Sequence, residues 1–256
     1  MVLQRCPLWI PLLLIAVTIV ADGKNNNNNM HSVIYRGCSD EEYNQGSAYE
    51  SNLNALLDSI VSQGAYFYNG SVGVGESVGE GNSAAYGVFQ CRGDLSNEEC
   101  VKCKQSIVAQ ATSLCGSTVA ARVQLRGCYL RYENSDFLGT PEQQHLVYKA
   151  CSPETTTEPG FFYRRDNVLT GLEEGSFSGN NFRVTSSGDS KAGPPVYGYA
   201  QCEGDLSWTE CADCVFKAAT DVKDICAASV AGQVYLQKCY VTYTQGQGDD
   251  AHEQRG

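Results

Sequence analysis

The chain has 256 residues and a formal net charge of −11, from 18 Lys and Arg against 29 Asp and Glu. An acidic protein of this kind lacks the electrostatic footprint for nucleic acid and is repelled by anionic bilayers, so neither is an expected partner. Its 13 cysteines point to an oxidising compartment rather than the cytosol.

Residues 1–21 have the layout of a secretory signal peptide. Arg5 supplies the positive start, Leu8 to Val20 is almost wholly apolar, and Ala21, Asp22 and Gly23 are small or polar. The apolar run is short for a membrane span. Cleavage near Ala21 removes Cys6 and Arg5, leaving an even set of cysteines and a charge of about −12. Residues 22–31, with the run Asn25 to Asn29, have nothing to bury and are expected to form a disordered leader.

The remaining cysteines fall into two sets, Cys38, Cys91, Cys100, Cys103, Cys115, Cys128 and Cys151, Cys202, Cys211, Cys214, Cys226, Cys239. Their gaps are 53, 9, 3, 12, 13 and 51, 9, 3, 12, 13, which identifies a tandem duplication. Turn-forming Gly139-Thr140-Pro141 separates a first domain at 32–139 from a second at 142–244. The tail, 245–256, is Gly, Asp, Gln and charge and is expected to be disordered. Each domain has roughly 105 residues, a size at which the core alone is marginal. Bridges contributing on the order of 2–4 kcal/mol each are a plausible supplement.

Both repeats open with a short strand, Val33 to Cys38 and Leu146 to Cys151. Leu53, Leu56, Leu57, Ile60 and Val61 follow at the spacing of one helix face; Asn167 to Glu174 carries that pattern more weakly. Gly-rich stretches, Gly70 to Gly81 and Ser176 to Gly193, read as long loops. Gly73, Gly75 and Gly79 lack the strand and capped helix that a phosphate-binding loop needs. Strands Ala85 to Cys91 and Val196 to Cys202 come next. Ser96-Asn97-Glu98-Glu99 and Ser207-Trp208-Thr209-Glu210 are capping boxes, each opening a helix that ends near Cys115 or Cys226. Strand-like sequence, Ala121 to Glu133 and Gln233 to Thr244, closes each copy. Strands and helices without regular alternation indicate an α+β fold with an antiparallel sheet.

Helix geometry restricts the disulfides. Cys103 and Cys115 on one helix would lie about 18 Å apart, far beyond the roughly 4.4–6.8 Å a disulfide spans; Cys100–Cys115 is excluded with it. Cys91 and Cys100 can meet across a turn. Cys38 then takes Cys103 or Cys115 and Cys128 the other, a choice that spacing leaves open.

The pattern Cys91-x8-Cys100-x2-Cys103, repeated as Cys202-x8-Cys211-x2-Cys214, resembles the plant cysteine-rich secretory repeat, or ginkbilobin-like domain. Tyr86-Gly87 and Tyr197-Gly198 fit, as do Gly93-Asp94-Leu95-Ser96 and Gly204-Asp205-Leu206-Ser207. The resemblance covers nearly all of 32–244. It implies two tandem domains, each a five-stranded antiparallel sheet packed with two helices and three disulfides. The implied pairs are Cys38–Cys115, Cys91–Cys100 and Cys103–Cys128, then Cys151–Cys226, Cys202–Cys211 and Cys214–Cys239. Gly93 to Ser96 together with Asp136-Phe137-Leu138-Gly139 looks most like plasmodesmata-located proteins, which continue into a transmembrane helix. No such helix occurs up to Gly256, so a secreted member or a shortened relative is expected.

Mannose-binding members of the family use an Asn, an Arg and a Glu. The matching positions hold Ser39, Arg122 and Glu133 in the first repeat, and Ser152, Gln233 and Thr244 in the second. Arg122 and Glu133 would be about 36 Å apart on one straight strand and on opposite faces. They can share a site only if the chain turns, for which Arg126-Gly127 is the candidate; otherwise they are ordinary solvated strand charges or ion-pair partners. Weak or absent mannose binding is expected, because Ser39 offers one hydroxyl where Asn offers separate donor and acceptor atoms.

Cys100-x2-Cys103 could form half a zinc site or a redox pair, but an oxidising compartment favours disulfides, and no metal or cofactor is expected. His31, His145 and His252 stand in the leader, the link and the tail, so no hydrolytic triad is supported and no enzyme activity is expected. Tyr66-Phe67-Tyr68 and Phe161-Phe162-Tyr163 are expected in the core rather than on a binding platform. Asn69-Gly70-Ser71 is a glycosylation sequon. The expected function is non-enzymatic binding outside the plant cell, in the apoplast or at plasmodesmata, in signalling or control of cell-to-cell transport. A mannose-binding antifungal lectin is the alternative. The expected partner is a cell-wall glycan or a cell-surface protein, with membrane association only through a partner or a longer form.

Overall fold

The structure, a computed structural model, describes residues 30–73, 83–138, 144–174, 182–187 and 193–246. The expected signal peptide, residues 22–29 of the leader, Gly75, Gly79, the Gly139 to Pro141 boundary and the tail beyond 246 lie outside the described residues.

In the first repeat the elements run β1 (Val33–Cys38), α1 (Ala48–Ser62), β2 (Phe67–Val72), β3 (Ala85–Cys91), α2 (Asn97–Cys115), β4 (Ala121–Leu125) and β5 (Cys128–Glu133). The second repeats them as β6 (Leu146–Cys151), α3 (Pro159–Glu174), β7 (Phe182–Ser186), β8 (Val196–Cys202), α4 (Trp208–Cys226), β9 (Ala231–Leu236) and β10 (Cys239–Gln245). The sheets have the order β1-β4-β5-β3-β2 and β6-β9-β10-β8-β7, with every pairing antiparallel.

Local chemistry explains the helices. In α2 the Ser96 backbone N–H donates to the Glu99 carboxylate at 2.7 Å, and the Glu99 N–H returns a bond to Ser96 Oγ. Ser207 and Glu210 do the same for α4. Each box satisfies donors that the first turn leaves without partners. Helix α1 buries Leu53, Leu56, Leu57 and Ile60 against the sheet. Helix α3 begins earlier than the weak pattern at 167–174 indicates, at Pro159, a residue suited to a first turn. Its periodicity is diluted because Arg164 and Arg165 are buried beside Phe161 and Val168. Lys104 is also buried, donating to the Gln63 carbonyl at the end of α1 and lying over the Phe89 ring.

Both Gly-rich stretches are partly strand, which corrects their reading as loops. Gly70 to Val72 finish β2 and pair with β3, and β7 lies inside 176–193. Strand β2 mixes weak strand formers, Asn69 and Gly70, with aromatics, and pairing with β3 overrides the local preference. At the chain's edges the ladder reaches further than the domain boundaries drawn from sequence. The Met30 carbonyl accepts from the Gly127 N–H, and the Gln245 N–H donates to the Val230 carbonyl.

The disulfides are Cys38–Cys115, Cys91–Cys100 and Cys103–Cys128, with Cα separations of 5.4, 5.7 and 6.1 Å. The second repeat has Cys151–Cys226, Cys202–Cys211 and Cys214–Cys239 at 5.3, 5.7 and 6.1 Å. In each domain, then, the longest helix is stapled to strands twice near its start and once at its end. Among the described residues no helix is long and apolar enough to cross a membrane.

Candidate functional site

Strand alternation divides each sheet into two faces. In the first repeat Val123, Leu125, Leu130 and Phe89 face the helices, so Arg122, Gln124, Tyr129, Arg131 and Gln90 point the other way. The helix-free faces of the two sheets meet. Tyr35 stacks on Tyr148 at 5.3 Å and meets Tyr235 edge-on at 5.4 Å. Gln90 Nε2 donates to the Cys202 carbonyl and Gln201 Nε2 to the Cys91 carbonyl, both at 3.0 Å. A Cβ at Gly204 would lie 2.6 Å from the Phe67 ring, so only bare backbone lets that ring close on the second domain. The seam leaves a cavity of ≈ 40 Å³ beside Tyr35, Gln90, Gln201 and Glu203, room for a few waters.

The turn at Arg126-Gly127 is present. It folds β4 and β5 into a hairpin in which Arg122 stands opposite Arg131. Ser39 and Glu133 flank Ala120 from β1 and β5, so Ser39, Arg122 and Glu133 share one end of the helix-free face. Their polar groups are already engaged. Ser39 Oγ accepts from the Glu41 N–H at 3.0 Å, and Ser152 Oγ does the same for Glu154 at 3.1 Å. The serine is therefore a turn-forming residue common to both repeats, one of which lacks the Arg and Glu. Glu133 receives Arg131 Nε at 2.6 Å, in a pair that is mostly buried. Arg122 lies over the Tyr129 ring at 5.9 Å.

Sequence reading missed Arg131 and the residues around it. Its guanidinium sits 3.9 Å from the Phe137 ring centre, and Phe137 packs on Val88 and Tyr129. The motif Asp136-Phe137-Leu138 thus closes over this face, with Asp136 Oδ1 accepting from the Leu138 N–H. Glu203 reaches the same region from the second domain. It is 6% exposed, lies 3.7 Å from Lys238 Nζ, and feels Arg122 and Arg131 across the seam. Burial pushes its carboxyl up to about 7, against the pull of Lys238 and with a further push from Asp205. Lys238 is closer to Asp205, at 2.8 Å, so two carboxylates share one ammonium. The one signal for the seam was Gln immediately before the second cysteine in both copies, a polar residue in otherwise apolar strands.

Of the aromatic clusters expected in the core, Phe161 is buried, Tyr66, Phe67, Tyr68 and Phe162 are half-buried, and Tyr163 is 71% exposed. Tyr163 leaves the core because the helix turns it away from Phe161 and Arg164, which take the inward positions. Among the described residues no group of three His, Cys, Asp or Glu is placed to hold a metal ion.

Comparison with known proteins fits this geometry. The Salt stress response/antifungal family matches residues 37–135 and 150–246. Plasmodesmata-located protein 8 of Arabidopsis thaliana is 41% identical over 216 residues, 83% of this chain and 74% of that protein. An antimicrobial ginkbilobin-2-like protein of Castanea crenata is 28% identical over 217 residues, 84% of this chain and 88% of that protein. The crystal structure of the tandem DUF26 ectodomain from the Arabidopsis thaliana cysteine-rich receptor-like protein PDLP8 matches with a TM-score of 0.75 at 40% identity. It is matched over its whole length, by 85% of this chain. The chain belongs to the Salt stress response/antifungal family, as a tandem pair of its ginkbilobin-like domains.

Proposed function

We propose that the protein is a non-enzymatic extracellular binding protein acting at plasmodesmata, in control of cell-to-cell transport or in apoplastic signalling. It would bind a cell-surface protein or a cell-wall glycan through the outer surfaces of a rigid two-domain body. The observation that carries this reading is the occupied helix-free face. The Ser39 hydroxyl is held in a turn, Glu133 is bound by Arg131, and the second domain's Glu203 is attracted electrostatically by Arg122 across the seam. A sugar at that end would have to displace interactions already made, at the cost of leaving buried polar groups unsatisfied. The higher identity to plasmodesmata-located protein 8 than to the antimicrobial relative supports the same reading.

A fluorescent fusion expressed in leaf epidermis should mark puncta across the wall that coincide with callose deposits. Overexpression should change the spread of a mobile reporter between cells. Diffuse wall fluorescence with unaltered reporter movement would remove the plasmodesmal reading. On a glycan array the native protein should not bind mannosides; specific binding lost in Arg122→Ala would favour the antifungal lectin instead.

A further inference from the structure

Each sheet ends in two edge strands, and an edge offers unpaired N–H and C=O groups to any strand that approaches. Two of the four edges carry a guard among the described side chains. β1 contains Arg36 and β6 contains Lys149, and both break register, at Val33/Tyr35 and Leu146/Tyr148. β7 has an arginine in its sequence, Arg183. β2 reads Phe-Tyr-Asn-Gly-Ser-Val and runs in unbroken register with β3, without charge, proline or bulge. This unguarded strand holds Asn69-Gly70-Ser71, the chain's one Asn-x-Ser/Thr sequence. Asn69 and Ser71 are both exposed. They share the strand face of Phe67, beyond its packing on Val88 and Tyr129.

We propose that Asn69 carries an N-linked glycan and that this glycan is the guard of the β2 edge. The donor is an oligosaccharide on a lipid diphosphate. The bond from the sugar C1 to the phosphate oxygen breaks, C1 bonds to Asn69 Nδ2, the amide gives up one proton, and the lipid diphosphate leaves. The Ser71 hydroxyl completes the acceptor sequence. The modification is one-sided. Phe67 and Phe182 pair with the equivalent Gln90 and Gln201, which places Val184 where the first repeat has Asn69. The inference rests on passage through the secretory route, which the disulfides require, and not on what the protein binds.

Protein secreted from plant cells should be digested with a glycan-releasing amidase in heavy-oxygen water. The peptide spanning Asn69 should then carry the mass of an aspartate labelled with heavy oxygen in place of that asparagine. Recovery of that peptide wholly unmodified before amidase treatment overturns the site. For the guard, folded protein trimmed by an endoglycosidase to a single neutral sugar and the variants Asn69→Gln and Ser71→Ala should all self-associate at concentrations at least about ten-fold lower than the glycosylated form. Asn69→Gln combined with Ser71→Lys, which returns a charge to the edge, should remain monomeric. Endoglycosidase-trimmed protein that stays as monomeric as the glycosylated form overturns the guarding role, and because it was folded beforehand, a folding defect in the variants does not obscure the result.

Discussion

Ala227 ends α4 with φ 39, while Gly116 ends α2 at the equivalent place with φ 62. A side chain in left-handed backbone costs roughly 1 kcal/mol, which glycine avoids. Ala227→Gly should therefore raise stability by about 1 kcal/mol, and Gly116→Ala, with open space around the added Cβ, should lower it similarly. Denaturant unfolding of the two variants checks both signs. Glu203 makes a pH prediction. Its carboxyl is raised from 4.5 to about 7 by burial, so the folded state holds a proton that the unfolded state releases. The resulting stability is complete below about pH 4.5 and is lost as pH rises through about 7, a change on the order of a few kcal/mol at most. Thermal unfolding between pH 4 and 8.5 should show this decline, and Glu203→Gln should flatten it. An unchanged slope in that variant would assign the decline to other groups.

At the scale of elements, α2 and α4 were the most legible parts of the chain. Ser96/Glu99 and Ser207/Glu210 state where each helix begins, and the cysteine spacing states where it ends. Replacing Ser207 by Ala removes an acceptor from the first turn of α4 and should cost about 1 kcal/mol by the same unfolding assay. β2 and β7 were illegible for a physical reason. An edge strand needs apolar side chains on little of its surface, and Asn69-Gly70-Ser71 resembles a turn until β3 is beside it. For the candidate site, sequence supplied Arg122, Glu133 and the turn that joins them. It could not supply Arg131 as the owner of Glu133, because a pair two residues apart on a strand looks like any two surface charges. Nor could it supply Glu203, whose relation to Arg122 exists only once the domains are docked.

The whole molecule depends on the seam between its domains. Gln90→Ala and Gln201→Ala each leave a buried carbonyl, of Cys202 or Cys91, without its donor. Each should weaken domain coupling by about 1–3 kcal/mol, and the double variant should turn a single unfolding transition into two. A double variant that unfolds in one step at the native midpoint would show that the remaining contacts, the tyrosine stack and Phe67 against Gly204, hold the seam without the two glutamines. Separately, the two residues that follow the second cysteine in each repeat, Arg92 and Glu203, have matching backbone bonds, to Gly127 and Lys238 at 2.8 Å. Arg92 is bound by Asp94 at 2.7 Å and is felt by Tyr235, while Glu203 is felt by Tyr35 and Tyr129. In a twofold dimer of identical chains, whatever stands at a place stands there twice, so like charge would answer like across the axis. Joining two copies in one polypeptide lifts that constraint. Each half can specialise against the other, and the pair becomes a lock whose two sides are no longer interchangeable.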